Sequence, residues 1–378
     1  MFKRKIFVNS LKKKRKDLSV KEILKSSIDK NFDKFFSPGL GHFEDFYIRD
    51  FGWVVDSLIY LGYEKEVKKT LDFVLKSYVE NNRITTSITK KGKVYDFPNY
   101  AMDSLPYFIY SINKANYKLS KTEKNFIKSQ LDYYYQNITE EGLVDSNKSF
   151  SSMADHKVRN SSFYSNCMHY LLTKELKKLN IKPKFKLDYL SDLLKDKFWS
   201  GSYYYDDLSG KNYFSSDAQI FPYWVGLDKS PERLKKIIKI INKNDINKPL
   251  ALSYHKDILF EDYSLFEHIL NMFRKTNMPK YHAESIFCYR YETDPIWTLL
   301  SINYFQILSM MYERGGDDFF LDQLNIEVDK FKKIIKKYNT LYELYEKDSK
   351  PFKSLFYLSE PDMIWGAKIL EVIEKYGL

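Results

Sequence analysis

The chain is poor in the residues that break helices and form tight turns. It has 13 Gly and 11 Pro among 378 residues, which is about half of their usual combined share of about 12 %. Proteins built from many short strands need a turn at each strand end, and therefore need more of both residues. The scarcity argues against an all-β protein and favours long helices.

Cysteine is equally scarce, and long apolar runs are missing. The two cysteines, Cys167 and Cys288, lie far apart and cannot form a dense disulfide framework, and no Cys-x-x-Cys pair is present to hold zinc. No stretch approaches the ~18 apolar residues of a transmembrane helix. No apolar segment follows the basic N-terminus, as it would in a secretory signal. We therefore expect a cytoplasmic protein without a membrane partner.

The net charge of +11 at first suggests nucleic acid or an acidic polymer as a partner. The lysines, however, are spread along segments of helical periodicity beside apolar residues, as on solvated helix faces. Only residues 11–16 form a basic block. We therefore expect no nucleic-acid partner, and we divide the chain into a basic N-terminal segment, 1–19, and one domain, 20–378.

An apolar period near 3.6 residues recurs along the chain and predicts about twelve helices. They lie near 20–36, 44–62, 64–81, 101–116, 121–138, 159–179, 187–197, 216–226, 231–242, 293–313, 319–338 and 360–376. The helices fall in pairs, and the connections between pairs are longer and carry strand-like or turn-rich sequence. Helical hairpins joined in this way can close into a ring. We predict an all-α fold, an (α/α)6 toroid of six helical hairpins with long loops at one rim.

The inner and outer helices of such a ring should differ in composition. Inner helices should be apolar nearly all round, and outer helices should be amphipathic and rich in lysine. The expected inner segments are 101–112, 218–225 and 296–311, and the expected outer segments are 64–78, 121–135 and 326–337. The long loops gather at one rim, and function concentrates on such loops.

Acidic residues stand at or near the starts of the apolar helices, each beside aromatic residues. They are Asp50, Asp103, Asp155, Asp217 and Glu343. A carboxylate beside an apolar helix costs desolvation free energy unless it is hydrogen-bonded or its pKa shifts. Asp103 and Asp217 also suit a helix N-cap, so capping is the alternative explanation for either of them alone.

Carboxylates flanked by aromatic rings are what a sugar site requires. Aromatic faces stack on the apolar faces of pyranose rings, and carboxylate and Arg side chains take paired hydrogen bonds with hydroxyls. Arg49 next to Asp50 is such a pair. Candidate aromatic platforms are Trp53, Tyr107, Trp224, Trp297 and Trp365. Core packing is the alternative for each of these rings.

Five patches of the sequence resemble a known family. Residues 47–75 (YIRDFGWVVDSLIYLGYEKEVKKTLDFVL) resemble the Trp-Ile-Arg-Asp helix pair of glycoside hydrolase family 15, the glucoamylase-like enzymes, and of related six-hairpin glycosidases. The other patches, in the family's order, are 100–112, 142–172, 215–227 and 341–373. The resemblance implies an inverting, exo-acting hydrolase of terminal α-linked glucose or a similar sugar. Its substrate would be an oligosaccharide or polysaccharide.

The resemblance implies catalytic roles for two residues. Glu343 matches the Glu of the family's Pro-Glu-Gln, which activates the attacking water. Asp155 falls on the acid of debranching-type relatives, whose pattern is Thr-Trp-Met-Asp. On the glucoamylase pattern Trp-Glu-Glu, Met153 and Ala154 replace the Trp and the acid. This departure leaves altered chemistry or an inactive homologue open.

Further site residues follow from the same comparison and from their neighbours. Arg49 and Asp50 match residues that hold the terminal sugar, and Asp103 lies where the family places a substrate-side or structural carboxylate. His156 follows Asp155 and is a candidate for orienting it, with a surface-loop histidine as the alternative.

Other carboxylates could serve as the base. Glu284 and Glu292 are the alternatives to Glu343, and His282 and Arg290 lie beside them to bind hydroxyls. The six histidines lack the spacing of a metal site, and no common nucleotide-binding motif occurs. We therefore expect no metal and no cofactor.

Two other functions remain open. The positive charge would suit an acidic polymer, and therefore a polysaccharide lyase or an unsaturated-uronide hydrolase on the same toroid. The change at Ala154 would suit a catalytically inactive carbohydrate-binding homologue. The sequence leaves the sugar, the linkage and the oligomeric state undetermined.

Overall fold

The computed structural model describes residues 15–41, 43–96, 99–148, 150–153, 159–210, 214–254, 295–354 and 357–378. Within these ranges the chain forms twelve helices: α1 Val20–Asn31, α2 Ile48–Tyr60, α3 Glu64–Glu80, α4 Ser104–Lys114, α5 Lys121–Tyr135, α6 Phe163–Lys178, α7 Leu187–Phe198, α8 Ser216–Trp224, α9 Pro231–Lys243, α10 Thr298–Gly315, α11 Asp318–Tyr338 and α12 Gly366–Tyr376. The short strands are β1 Phe46–Tyr47, β2 Ser87–Ile88, β3 Val94–Tyr95, β4 Ile296–Trp297 and β5 Leu344–Tyr345. Each predicted helix has a counterpart among these elements.

Every second one of these twelve helices belongs to an inner layer. Helices α2, α4, α6, α8, α10 and α12 contact one another in this order, and α12 contacts α2, so the inner layer is a closed ring. The intervening helices lie outside, with α3 packed on α2, α7 on α6 and α11 on α10. Helix α1 packs on α12, so the first and the last described helices form the sixth hairpin. The predicted (α/α)6 toroid is confirmed.

The two layers bury different fractions of their residues. All nine residues of α8 are buried, and α10 is buried along most of its length. Outer helix α11 buries a single stripe that includes Leu324, Val328, Phe331 and Ile335 and exposes its charged face. The predicted division into apolar inner and amphipathic outer helices is confirmed. Inner helices are surrounded by protein, whereas outer helices expose one face to water, so only the outer helices need a polar face.

Each inner helix begins after a long connection, and each inner helix before α12 ends at a short one. The starts of the inner helices therefore share one end of the ring, which we call the long-loop rim. Short antiparallel strands join neighbouring long connections there. β2 pairs with β1 and β3, with Ser87 opposite both Tyr47 and Tyr95, and β4 pairs with β5.

The last predicted helix begins later than the sequence suggested, at Gly366 instead of near 360. Asp362 has a left-handed backbone with φ of 58°, which does not continue a helix. Its Oδ1 accepts hydrogen bonds from Arg15 at 2.5 Å, Ser27 at 2.9 Å and Thr340 at 2.7 Å. These distant contacts hold the loop before α12 against α1. The extent of the 20–378 domain stays a prediction.

The described helices include none long and apolar enough to cross a membrane. The interior of the ring is filled by side chains that reach across it. The ring of Tyr107 on α4 lies 5.8 Å from that of Trp224 on α8. The amide of Gln306 on α10 donates to Asp56 on α2 at 3.1 Å. Because neither pair comes from neighbouring helices of the ring, these contacts obstruct the ring's centre.

Candidate active site

The starts of α2, α4 and α6 meet at a buried ion pair on the long-loop rim. Nε of Arg49 donates to Oδ2 of Asp103 at 2.6 Å, and the hydroxyl of Tyr164 donates to the same oxygen at 2.6 Å. Asp103 directly precedes α4, yet its side chain makes no capping hydrogen bond. Capping is therefore the wrong interpretation for Asp103, whose carboxylate joins three inner helices instead.

A chain of hydrogen bonds continues from this ion pair into the ring. Nε1 of Trp53 donates to the hydroxyl of Tyr107 at 2.8 Å, which lies 3.3 Å from the hydroxyl of Tyr164. Burial raises the pKa of both tyrosines, so they stay protonated. The close approach of α2 to Tyr107 on α4 depends on Gly52, since a Cβ at that position would lie 2.5 Å from the Tyr107 ring.

Asp50, in the first turn of α2, is partly exposed and contacts the loop before α12. Its Oδ1 accepts a hydrogen bond from Nε1 of Trp365 at 3.0 Å. Burial, with a smaller contribution from the charge of Glu343, raises the pKa of Asp50 to about 7 against the opposing effects of Arg49 and Trp365. Asp50 therefore exchanges its proton near neutral pH and lies within electrostatic range of Glu343.

Glu343 directly precedes β5 and is 1 % exposed. Its Oε2 accepts hydrogen bonds from the hydroxyl of Tyr357 and, at 3.4 Å, from the backbone N–H of Glu360. Its backbone N–H donates to the carbonyl of Glu360 at 2.8 Å, and its carbonyl accepts from the N–H of Thr298 at 3.2 Å. The carboxylate is thus held between the loop before α12 and the start of α10.

A second ion cluster lies at the start of α8. Oδ2 of Asp217 accepts hydrogen bonds from Nη1 of Arg159 at 2.8 Å and from the hydroxyl of Tyr254 at 2.6 Å. Nε of Arg159 lies 3.2 Å from Oδ2 of Asp206. All four side chains are buried. Because Arg159 lies four residues after Asp155 in the sequence, this cluster anchors the chain just beyond the predicted acid.

Several predicted site residues lie outside the described part of the chain. They are Asp155, His156, His282, Glu284, Arg290 and Glu292. Their roles stay predictions. Where the structure describes the chain, no three His, Cys, Asp or Glu side chains come together as metal ligands would.

The predicted tryptophans lie at different depths. Trp297 directly precedes α10 at the long-loop rim, and its ring centroid lies 6.5 Å from that of Tyr254. Trp224 lies at the far end of α8, where its Nε1 donates to Gln306 at 2.7 Å and its ring lies 5.2 Å from Tyr110. The structure thus brings Trp297 to the rim with Arg49, Asp50, Asp103 and Glu343, and places Trp224 inside the ring.

Several residues of the site were not predicted from the sequence, among them Tyr164, Tyr357 and Arg159. Tyr164 and Tyr357 are two of 32 tyrosines, and nothing in their local sequence distinguishes them. Arg159 follows the predicted acid closely, which is a weak local signal. Chemically, the rim offers the buried carboxylate of Glu343 with its hydrogen-bond donors, the carboxyl of Asp50 with a pKa of about 7, and two buried Arg–Asp clusters.

No protein-family model matches the chain, and no curated protein sequence matches it. Several solved structures are nevertheless similar to this chain. A rhamnosidase from Klebsiella oxytoca with rhamnose bound has a TM-score of 0.62 at 13 % identity, over 95 % of this chain and 63 % of that chain. This chain therefore spans less than two thirds of the rhamnosidase.

Two further solved structures are matched along nearly their whole length. A glycosidase variant in complex with glucose has a TM-score of 0.61 at 10 % identity, over 95 % of this chain and 97 % of that one. The GH63 mannosylglycerate hydrolase from Thermus thermophilus, in complex with Tris and D-glycerate, has a TM-score of 0.59 at 8 % identity, over 94 % and 100 %. At such identities the likeness shows a shared fold, the (α/α)6 toroid of these glycosidases.

Proposed function

We propose that this chain is a glycoside hydrolase that releases a terminal α-linked sugar, glucose or a similar one, with inversion. The observation that carries the proposal is the buried carboxylate of Glu343, held by Tyr357 at the rim where Asp50 and the Arg49–Asp103 pair also lie. The similar structures include a rhamnosidase with rhamnose bound and a glycosidase variant in complex with glucose, and these bound sugars support a sugar ligand.

The proposed chemistry uses two opposed carboxyl groups. Asp155, protonated, donates its proton to the glycosidic oxygen, and Glu343, ionised, takes a proton from water on the opposite face of the sugar. Inverting enzymes separate such groups by ~6.5–9.5 Å to leave room for the water, and acid–base catalysis contributes about 10²–10⁴-fold. The hydrogen bond from Tyr357 supports this role for Glu343, because a donor favours the ionised carboxylate.

The filled centre of the ring supports action at a chain end. Tyr107 reaches Trp224 and Gln306 reaches Asp56 across the interior, so a polymer has no path through the ring. A substrate that enters from the long-loop rim would therefore meet a closed floor. We infer that the terminal sugar is bound there by Arg49, Asp50 and Asp103, with Trp53, His156, Glu284, Arg290 and Trp297 as further proposed contacts. Trp224, which lies inside the ring, would contribute to the floor beneath the sugar.

Replacing each proposed catalytic carboxylate by its amide tests the assignment. Asp155→Asn and Glu343→Gln should each abolish turnover while the oligosaccharide still binds. Glu346→Gln, three residues from Glu343 in the same loop, is the matched control and should keep full activity. Full activity in either catalytic variant would refute the assignment.

The released anomer tests the stereochemistry and the substrate class. The protein is incubated with maltose, maltotriose, trehalose, isomaltose and a uronide oligomer, and the product is followed by NMR. Inversion of an α-linked substrate gives the β anomer first. Activity that survives both amide replacements would favour a lyase or an unsaturated-uronide hydrolase. A sugar-dependent rise in melting temperature without product would favour an inactive binding protein.

A further inference from the structure

Three aromatic side chains form a partly exposed cluster at the long-loop rim. Tyr100 precedes α4, Tyr133 lies near the end of α5, and Phe150 lies in the connection from α5 to α6. The ring centroid of Tyr100 lies 5.2 Å from that of Tyr133 and 6.2 Å from that of Phe150. Tyr133 is 44 % exposed, and the other two are partly exposed. We call these three residues the aromatic shelf.

An ion pair with an exposed member lies beside the shelf. Nη2 of Arg83 lies 2.5 Å from Oδ2 of Asp96, and Arg83 is 49 % exposed. The backbone N–H of Ile84, next to Arg83, donates to Oε1 of Gln130 at 3.0 Å, and Gln130 lies one helical turn before Tyr133 on α5, so the ion pair lies close to the shelf. Aromatic faces next to an accessible Arg–carboxylate pair offer both stacking and paired hydrogen bonds, which is the chemistry that binds sugar rings.

The shelf is continuous with the candidate active site. Tyr100 lies three residues before Asp103 in the connection that leads into α4. The backbone N–H of Ser151 donates to the carbonyl of Tyr100 at 2.9 Å, and Ala101 pairs with Ser151. The shelf is therefore attached to the connection that carries Asp155. Since the acid protonates the leaving-group oxygen, the sugar units beyond the cleaved bond must lie near that connection.

We propose that the aromatic shelf, together with Arg83 and Asp96, is an accessory binding site for sugar units on the leaving-group side of an oligosaccharide. This inference rests on the proposed function, and it narrows the substrate class to oligosaccharides or polysaccharides longer than a disaccharide. The terminal sugar lies at Arg49 and Asp50, and the rest of the chain leaves the rim over the shelf.

The test compares ligands of different length on variants of the shelf. Affinities for maltose and maltohexaose are measured by calorimetry on Glu343→Gln protein, alone and combined with Tyr133→Ala or Phe150→Ala. We expect about fivefold weaker binding of maltohexaose in the shelf variants and unchanged binding of maltose. The control is Tyr60→Ala, which removes a tyrosine that is 50 % exposed at the end of α2, on the opposite rim.

The outcomes separate the shelf from the hydrolase proposal. If the otherwise unchanged protein cleaves maltohexaose and the shelf variants bind and cleave it equally well, the shelf is refuted and the hydrolase stands. If maltohexaose binds and Tyr133→Ala weakens binding, but no product forms, the shelf stands and the hydrolase is refuted. If neither maltohexaose, mannohexaose nor a hexauronide binds, both proposals are refuted. Melting curves verify that each variant is folded.

Discussion

The hydroxyl of Tyr357 donates a hydrogen bond to Oε2 of Glu343. The donor lies 14 residues beyond the acceptor, in the loop that also supplies the backbone N–H of Glu360 to the same oxygen. Hydrogen bonds to a carboxylate favour its ionised form. A base that takes a proton from water must be in this form, so Tyr357 is placed to keep Glu343 ready for that step.

Tyr357→Phe removes this hydrogen bond and should raise the pKa of Glu343. A hydrogen bond to a charged group contributes about 1.5–3 kcal/mol, so we expect the acidic limb of the kcat profile to move about 1 pH unit higher. Tyr338→Phe is the control, because the Tyr338 hydroxyl donates to the backbone carbonyl of Ser349. A Tyr357→Phe profile that coincides with that of the unaltered protein would show that the tyrosine does not tune the base.

The pKa of about 7 for Asp50 predicts that the site gains negative charge between pH 6 and pH 8. A permanently cationic N,N-dimethyl iminosugar should therefore bind more tightly as the pH rises, because the ionised carboxylate attracts it. A neutral sugar serves as the control and should not show this gain. Asp50→Asn should abolish the pH dependence in calorimetric titrations, and its persistence would assign the titration to another group.

Lys368 on α12 is buried between two acidic side chains. Its Nζ donates to Asp56 at 3.1 Å and to Glu371 at 2.9 Å. Lys368→Met leaves both carboxylates without this cation, and we expect the free energy of unfolding in urea to fall by about 3 kcal/mol. Lys375→Met, on the same helix, breaks a surface pair with Glu313 and should cost less than about 1 kcal/mol. Equal losses would mean that burial of Lys368 is unimportant.

His169 is buried on α6 against Tyr134, Tyr135 and Phe185, and neither ring nitrogen has a hydrogen-bond partner within the described ranges. Burial lowers its pKa from 6.5 to about 3. The unfolded chain therefore takes up this proton first as the pH falls, and stability is lost between about pH 6.5 and pH 3.

His169→Leu should remove this loss. Between pH 7 and pH 4, we expect the variant to lose about 3 kcal/mol less unfolding free energy than the unaltered protein. Urea unfolding at several pH values measures the difference. Parallel stability curves for the two proteins would show that His169 does not contribute to the acid sensitivity.

Helix positions were predictable because neighbouring residues encode them. The apolar period predicted a helix over 319–338, and α11 runs from Asp318 to Tyr338. The apolar period does not predict the end of a helix where the last residue contacts a residue distant in sequence. A helix was expected over 20–36, but α1 ends at Asn31, whose side-chain amide donates to the carbonyl of Asp362 at 2.6 Å.

The site was predictable only in part. Asp50 and Asp103 were predicted as site residues from their position at the starts of apolar helices, and the structure places both at the rim. Asp103, however, also suited a helix cap in sequence, and only its contacts with Arg49 and Tyr164 reveal its different role. A cap and an ion pair place the same residue type at the same helix position, so the sequence alone does not distinguish them.

By itself, the sequence determined the alternation of apolar and amphipathic helices, and with it the ring and the rim on which the long loops gather. Only the tertiary structure decided which side chains meet there, such as Tyr357 with Glu343, or Arg15 with Asp362 across 347 positions. The physical reason is the distance along the sequence over which each kind of contact forms. Helical periodicity arises between residues three and four apart, whereas these pairs form only when the closed ring brings distant loops together.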